Sequence, residues 1–151
     1  MAEKINGIIL TPLKIIPHEK GNIFHAIRNY DVGYFGFGEA YFSTIKYGNI
    51  KAWKKHTRMT LNLVVPVGKV LFTIYDDIDD SLSKGLFEEI IISPENYFRL
   101  TIPPKLWYGF KGLGKKTNLI LNIADIPHEP DEQVSIDPSE FTVKYNWEDK
   151  K

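Results

Sequence analysis

Apolar and polar residues alternate along most of this chain with a period of two, and Gly, Pro, Asn and Asp cut the alternation into short runs. Such a period places successive side chains on opposite faces of an extended strand. It predicts strands over Ile8–Ile16, Ile23–Arg28, Glu39–Lys46, Ile50–His56, Thr60–Pro66, Lys69–Asp76, Glu88–Ser93, Phe98–Ile102, Trp107–Gly112 and Asn118–Ala124. Many short strands between turn residues imply an all-β sandwich or barrel. No window carries a long helical stripe; short helical turns are expected at most at Ser93-Pro94-Glu95-Asn96 and near the C-terminus. From Pro127 the chain becomes polar and proline-rich, then regains aromatics in Phe141-Thr142-Val143-Lys144-Tyr145-Asn146-Trp147. We expect one domain over 1–151, with 127–151 as an extension packed on the barrel or on a partner subunit. Asp76-Asp77-Ile78-Asp79-Asp80 lacks the glycine and terminal glutamate of a calcium loop, so it is expected to be a solvated acidic turn.

Composition narrows the classes. A chain of 151 residues is large enough to bury its own core. Nineteen basic residues balance nineteen acidic ones, so no bulk field points to nucleic acid or to a membrane surface, and neither is expected as a partner. Cysteine is absent, which excludes disulfides, thiolate ligands and a thiol nucleophile. Apolar runs stay at about six residues, far short of a bilayer span. The polar start Met1-Ala2-Glu3-Lys4-Ile5-Asn6-Gly7 does not read as a secretory signal, so a soluble, cytoplasmic protein is expected.

One spacing stands out. From Gly48 to Gly68 the frame resembles the metal-cupin pattern of Gly, five residues, His, one, His, four, Glu, six, Gly, but its ligand positions hold Lys54, His56 and Leu61. Leucine cannot ligate, and lysine is protonated at neutral pH unless its pKa is strongly depressed. The frame keeps the fold signal, a double-stranded β-helix or jelly roll, while neither a metal site nor a cofactor is expected. Alternation puts Ile50, Ala52, Lys54 and His56 on one face of their strand and Lys51, Trp53 and Lys55 on the other. A lysine and a histidine facing a barrel interior need partners, because an unpaired buried charge is costly. Either a cavity holding water or an anion meets that need, or a bulge breaks the parity and Lys54 is exposed.

Ser93 to Phe110, with Ile102-Pro103-Pro104-Lys105-Leu106-Trp107-Tyr108-Gly109-Phe110 at its end, resembles the "Ile-Pro-Pro-Gly, two residues, His-Gly-Phe" signature of the dTDP-4-dehydrorhamnose 3,5-epimerase family. Gly48-Asn49-Ile50-Lys51-Ala52-Trp53-Lys54 is similar to that family's Gly-Val-Leu-Arg-Gly-Leu-His, which ends on its general base. The region from Ile9 through Phe24 and Arg28 resembles its N-terminal strand, and the blocks are collinear to about Trp147. The resemblance implies a metal-free jelly roll, usually a homodimer, acting on a nucleoside-diphosphate 4-keto-6-deoxy sugar in polysaccharide precursor synthesis. In such enzymes a base removes the proton α to the C4 ketone and the enolate is reprotonated; related 3,4-ketoisomerases place a His-x-His pair on the same strand. Against that pattern, Lys54 replaces the base histidine, Tyr108 replaces the histidine of the Pro-Pro signature, and Ile126-Pro127 follow Asp125 where the family has its acid tyrosine. No counterpart is visible of the longer C-terminal region that gives the family's base an acidic partner.

Four residues are candidates for the chemistry. His56 is a general base with an unperturbed pKa near 6.5, or a satisfied interior histidine. Lys54 stabilises an enolate, acts as a base if burial lowers its pKa, or serves as a counter-charge to phosphate or carboxylate. Tyr108 is a phenolic donor at the mouth or a packing residue. Asp125 orients His56 or Lys54, or caps a turn. For the nucleotide, Arg28, Lys51 and Arg58 are candidate diphosphate ligands, each otherwise a surface cation. Phe24, Tyr41, Phe42, Trp53 and Trp107 are candidates to stack on a base or sugar, most of them otherwise core. The reading is a metal-independent nucleotide-sugar epimerase or isomerase; the alternative is a non-catalytic cupin that binds a sugar nucleotide or carbohydrate.

Overall fold

The computed structural model describes residues 4–148 and 150. Its strands in chain order are β1 (Ile9–Pro12), β2 (Ile15–Ile16), β3 (Ile23–Phe24), β4 (Glu39–Thr44), β5 (Ile50–His56), β6 (Leu61–Val67), β7 (Val70–Tyr75), β8 (Phe87–Ile92), β9 (Phe98–Ile102), β10 (Trp107–Gly112), β11 (Leu119–Ala124) and β12 (Gln133–Ser135). They form one antiparallel sheet ordered β1-β9-β6-β11-β4, a second ordered β12-β5-β10-β7-β8, and a small β2-β3 ribbon. This is the all-β jelly roll expected from the alternation. Among the described residues no helix is long and apolar enough to cross a membrane.

Alternation explains how the sheets meet. Leu61, Leu63 and Val65 of β6, Leu100 and Ile102 of β9, and Ile120 and Ala124 of β11 point inward against Phe72, Ile74, Ile90, Ile92 and Tyr108 of the second sheet. Burying each such large aliphatic or aromatic side chain contributes about 1.5–3 kcal/mol. Strand β7 is buried along its whole length. Its outward residues Leu71 and Tyr75 lie under a second cluster with Trp53, Trp107, Phe141 and Trp147. Two of those come from beyond β11: Phe141 stacks on Trp53 with ring centroids 4.6 Å apart, and Trp147 lies 5.3 Å from the same ring. The second sheet is thus covered on both faces, by the first sheet inside and by the chain's last segment outside.

Several expected elements differ. The run from Ile8 to Ile16 is two strands, β1 paired with β9 and β2 paired with β3. Pro12 closes β1 on the edge of its sheet, where a missing amide donor is tolerated. Only Ile23–Phe24 of the second run is strand. Ser93–Asn96 is a bridged turn joining β8 to β9, not a helical turn. Single 3-10 turns sit instead at Pro130–Glu132 and Pro138–Glu140, flanking β12, which the polar tail concealed. In the acidic turn Asp76 is buried: burial alone raises its carboxyl, but hydrogen bonds from Ser81, Ser83 and the Ile78 amide outweigh that and hold it below its ordinary value.

On the outer face of the first sheet Arg99 is completely buried. Its guanidinium donates to the carbonyls of Ala26 (2.7 Å) and Val32 (2.9 Å) and to Asn62 Oδ1 (3.2 Å), clamping residues 26–32 to the sheet. The planar fork of arginine suits several fixed acceptors at once.

The cover over the second sheet should be costly to remove. Phe141→Ala is expected to lower stability by about 3 kcal/mol, read from the shift in urea midpoint at unchanged slope.

Candidate functional site

The site grows from an irregularity between β5 and β10. Tyr108 pairs with Lys54, but Phe110 pairs with Lys51, so β5 spends one extra residue against β10. A bulge of this kind reverses the parity of everything beyond it. Ala52 and Trp53 therefore both pack toward the outer aromatic cluster. Lys51, placed by simple alternation with Trp53 and Lys55, turns to the inner side, where its Nζ lies 6.0 Å from the Phe110 ring and donates to the Thr44 carbonyl of β4 at 2.9 Å. Gly109 makes this possible: a Cβ there would meet Ala52 Cβ at 2.4 Å and the Trp147 ring at 3.1 Å.

His56 is 7% exposed, at the end of β5. Its Nδ1 meets Glu132 Oε1 at 2.6 Å. Glu132 is 1% exposed, and its Oε2 accepts the amides of Arg58 (3.0 Å) and Met59 (2.9 Å). Burial on its own raises the Glu132 carboxyl, but the Arg58 amide, the His56 ring and the Met59 amide outweigh it and hold the group below its ordinary value of 4.5. An ionised carboxylate here makes Nδ1 the protonated nitrogen and leaves Nε2 as the basic one. Nε2 faces the Tyr108 hydroxyl at 3.5 Å, too long for a strong hydrogen bond, so its lone pair is available. The Tyr108 and His56 rings lie near parallel, 6.0 Å apart. Burial first, then the nearby Tyr41 and Glu132 charges, push the Tyr108 phenol well above its ordinary value, so it remains a proton donor at neutral pH.

Beside this pair, Lys51 to Lys54 of β5, Tyr108 and Phe110 of β10 and Ser135 of β12 line a cavity of about 250 Å³. That is slightly below the usual range for sites that swallow a whole ligand, about 300–1,000 Å³. A space of this size holds a small molecule or one part of a larger one. Lys54 is half-buried and forms no hydrogen bond or ion pair among the described residues. Among the same residues no three His, Asp or Glu side chains gather as metal ligands would. A larger cleft of about 690 Å³ runs along β8 and the last segment past Glu89 and Tyr145, away from His56.

His56, Lys54 and Tyr108 are thus brought together, with Lys51 beside them. The other candidates lie elsewhere. Asp125 Oδ1 accepts the Thr60 amide at 2.8 Å, capping the turn into β6 rather than orienting His56 or Lys54. Arg58 pairs with Glu129 on the surface. Arg28 pairs with Asp31 at 3.0 Å outside the first sheet. Phe24 sits edge-on to Tyr97 in the ribbon region, 5.6 Å between centroids. Trp53 borders the cavity but is 2% exposed, its ring stacked on Phe141 in the outer aromatic cluster. The acidic partner that seemed missing is Glu132. It lies 76 residues from His56 in a polar stretch without periodicity, so no local signal marks it.

Folding energy is linked to Glu132 with a definite sign. A carboxyl depressed in the folded state stabilises fully above its unfolded value of about 4.5, and that stabilisation is lost as pH falls through the folded value. Glu132→Gln should therefore cost about 3 kcal/mol at pH 7 and much less at pH 3, measured as the wild-type minus variant difference in urea unfolding.

No family model matches the chain. It is 25% identical over 150 residues to the probable low-salt glycan biosynthesis epimerase Agl13 of Haloferax volcanii, spanning 95% of this chain and 96% of that protein. It is likewise 25% identical over 145 residues to the spore coat polysaccharide biosynthesis protein SpsL of Bacillus subtilis, with 95% and 96% covered. The crystal structure of a dTDP sugar isomerase from Desulfovibrio desulfuricans G20 superposes with a TM-score of 0.93 at 34% identity, over 97% of this chain and 94% of that one. Together with the jelly roll, this places the chain in the dTDP-4-dehydrorhamnose 3,5-epimerase-like cupin family, which includes nucleotide-sugar isomerases.

Proposed function

We propose that the protein is a metal-independent epimerase or isomerase of a nucleoside-diphosphate 4-keto-6-deoxy sugar, acting by proton transfer α to the C4 ketone in the synthesis of polysaccharide precursors. The observation that carries this reading is the His56–Glu132 pair: a buried imidazole with its Nδ1 fixed at 2.6 Å on a carboxylate and its Nε2 turned to the hydroxyl of Tyr108, which lines the cavity. His56 Nε2 takes the α-proton, and the electrons of the broken C–H bond move onto the carbonyl oxygen. Lys54, which has no ion partner among the described residues, lies where it can stabilise the enolate oxygen. Lys51 at the rim is suited to a phosphate as a point charge. The names of the relatives, a dTDP sugar isomerase and a glycan-biosynthesis epimerase, support the substrate class.

The same reading takes residues 1–151 as one domain working in the cytoplasm as a homodimer. Exposed Ile16 (43%), Ile23 (57%) and Phe24 (36%) on the β2-β3 ribbon support a second copy there. Light scattering at micromolar concentration is expected to give the dimer mass; a monomer would count against it.

Incubated in deuterated water with a dTDP-4-keto-6-deoxy sugar, the protein should incorporate deuterium α to the ketone. His56→Asn should slow this by about 10²–10⁴-fold, the usual contribution of a positioned base. No exchange with several nucleoside-diphosphate keto sugars would remove the catalytic reading, and binding by calorimetry without exchange would leave a carbohydrate-binding cupin.

A further inference from the structure

The lysines of β5 have unlike surroundings. Lys51 Nζ donates to the Thr44 carbonyl at 2.9 Å, and Lys55 Nζ pairs with Asp77 at 2.6 Å. Lys54, half-buried between them, has neither a hydrogen bond nor an ion pair among the described residues. It stands opposite Tyr108 of β10 and Ser135 of β12, and all three line the cavity of about 250 Å³. That lining holds Lys51 and Lys54 but no carboxylate. His56 follows on the same face of β5, its Nε2 3.5 Å from the Tyr108 hydroxyl.

A lone lysine at a rim would be accounted for as a counter-charge to phosphate. Lys54 is instead next to the base. Residues two apart on a strand are about 6.5 Å apart, so an atom bonded to Lys54 has neighbours within reach of His56. Lysines that attack carbonyl groups are found in apolar pockets or beside a second cation. Lys54 has both, with Phe110 in the wall and Lys51 on the same cavity.

We propose that Lys54 is a covalent catalyst, forming an iminium with the C4 ketone of the sugar. The proposal rests on the function stated above and changes one atom of it: nitrogen, not the carbonyl oxygen, receives the electrons. The Lys54 ammonium and the ketone combine to give the iminium and one water. His56 Nε2 holds the ammonium proton while the amine adds to C4. The oxygen then leaves as water with that proton and one from the nitrogen. His56 Nε2 next takes the proton of the neighbouring C–H bond, whose electron pair becomes the C=C bond of an enamine as the C=N pair settles on nitrogen. Reprotonation at carbon restores the iminium, and water releases the ketone and Lys54. A keto group moved to C3 would leave the lysine attached at C4, so the reaction is exchange or epimerisation beside C4.

Arginine separates a bond from a charge, since it keeps the cation but forms no iminium. Lys54→Arg of unchanged melting temperature should lower deuterium exchange about 10²-fold or more, as His56→Asn does. Wild type treated with a dTDP-4-keto-6-deoxy sugar and cyanoborohydride should gain a single reduced adduct, mapped to Lys54 by peptide mass spectrometry. The proposal is overturned, and the function left standing, if wild type exchanges deuterium without an adduct at Lys54 or moves the keto group to C3. Exchange by Lys54→Arg within about threefold of wild type overturns it equally. An adduct at Lys54 without exchange keeps the lysine and removes the function stated above. Neither adduct nor exchange removes both.

Discussion

A carboxylate buried to 1% exposure is the constraint on which the site depends. Left unpaired, such a charge would cost several kcal/mol. Here two amides and an imidazole satisfy it, and they come from the end of β5 and the turn that follows. Glu132 also ties that turn through its carbonyl, which accepts the Thr57 amide at 2.8 Å and the Thr57 hydroxyl at 2.9 Å. Immediately after it the chain enters β12 and pairs Gln133 with His56. The His56–Glu132 pair is consequently assembled by two segments far apart in sequence, and it is complete only when the last segment is docked. The Trp53, Phe141 and Trp147 rings on the outer face hold that segment in place by apolar burial.

Inside the sandwich the two sheets divide the work. The second sheet carries the ionisable groups at the end of the barrel where β5 and β10 are irregular. The first sheet faces inward with aliphatic residues of β6, β9 and β11, while β4 at its edge places Glu39, Tyr41 and Ser43 opposite Ala124, Asn122 and Ile120. Outside the first sheet, Arg99 fixes residues 26–32 by hydrogen bonds to their carbonyls, so that surface is held by a buried cation rather than by a packed core.

The fold was largely legible because short apolar or alternating runs between turn residues are a local property, clearest in β11, while β7, buried on both faces, shows as a continuous apolar run. His56, Lys54 and Tyr108 could be grouped in advance because two share parity on one strand and the third lies on a neighbour in the jelly-roll frame. Alternation cannot register an inserted residue, so the inward turn of Lys51 was hidden: the bulge is stated by the partner strand, not by β5. Glu132 and Asp125 exchanged roles for a related reason. A carboxylate near the end of β11 looked placed to serve the base, but its geometry satisfies the Thr60 amide, while the true partner returns from beyond it. Trp53 and Phe24 show the same limit, since an aromatic residue reads alike whether it stacks on a ligand or on another ring.

Gly109 has a consequence for how this chain can change over time. It sits on the outer face and is not itself part of the cavity lining, yet the room it leaves is what Ala52, which borders the cavity, and the Trp147 ring occupy. Any side chain at 109 pushes Ala52 away and with it the extra residue that turns Lys51 inward. The number of cations facing the cavity is thus governed by the absence of an atom on the far side of the sheet. Positions 52 and 109 form a lock that must be opened in order, with 52 becoming smaller or the bulge moving before 109 can grow. A lineage could gain or lose one inward charge by that route without altering Lys54, His56 or Tyr108.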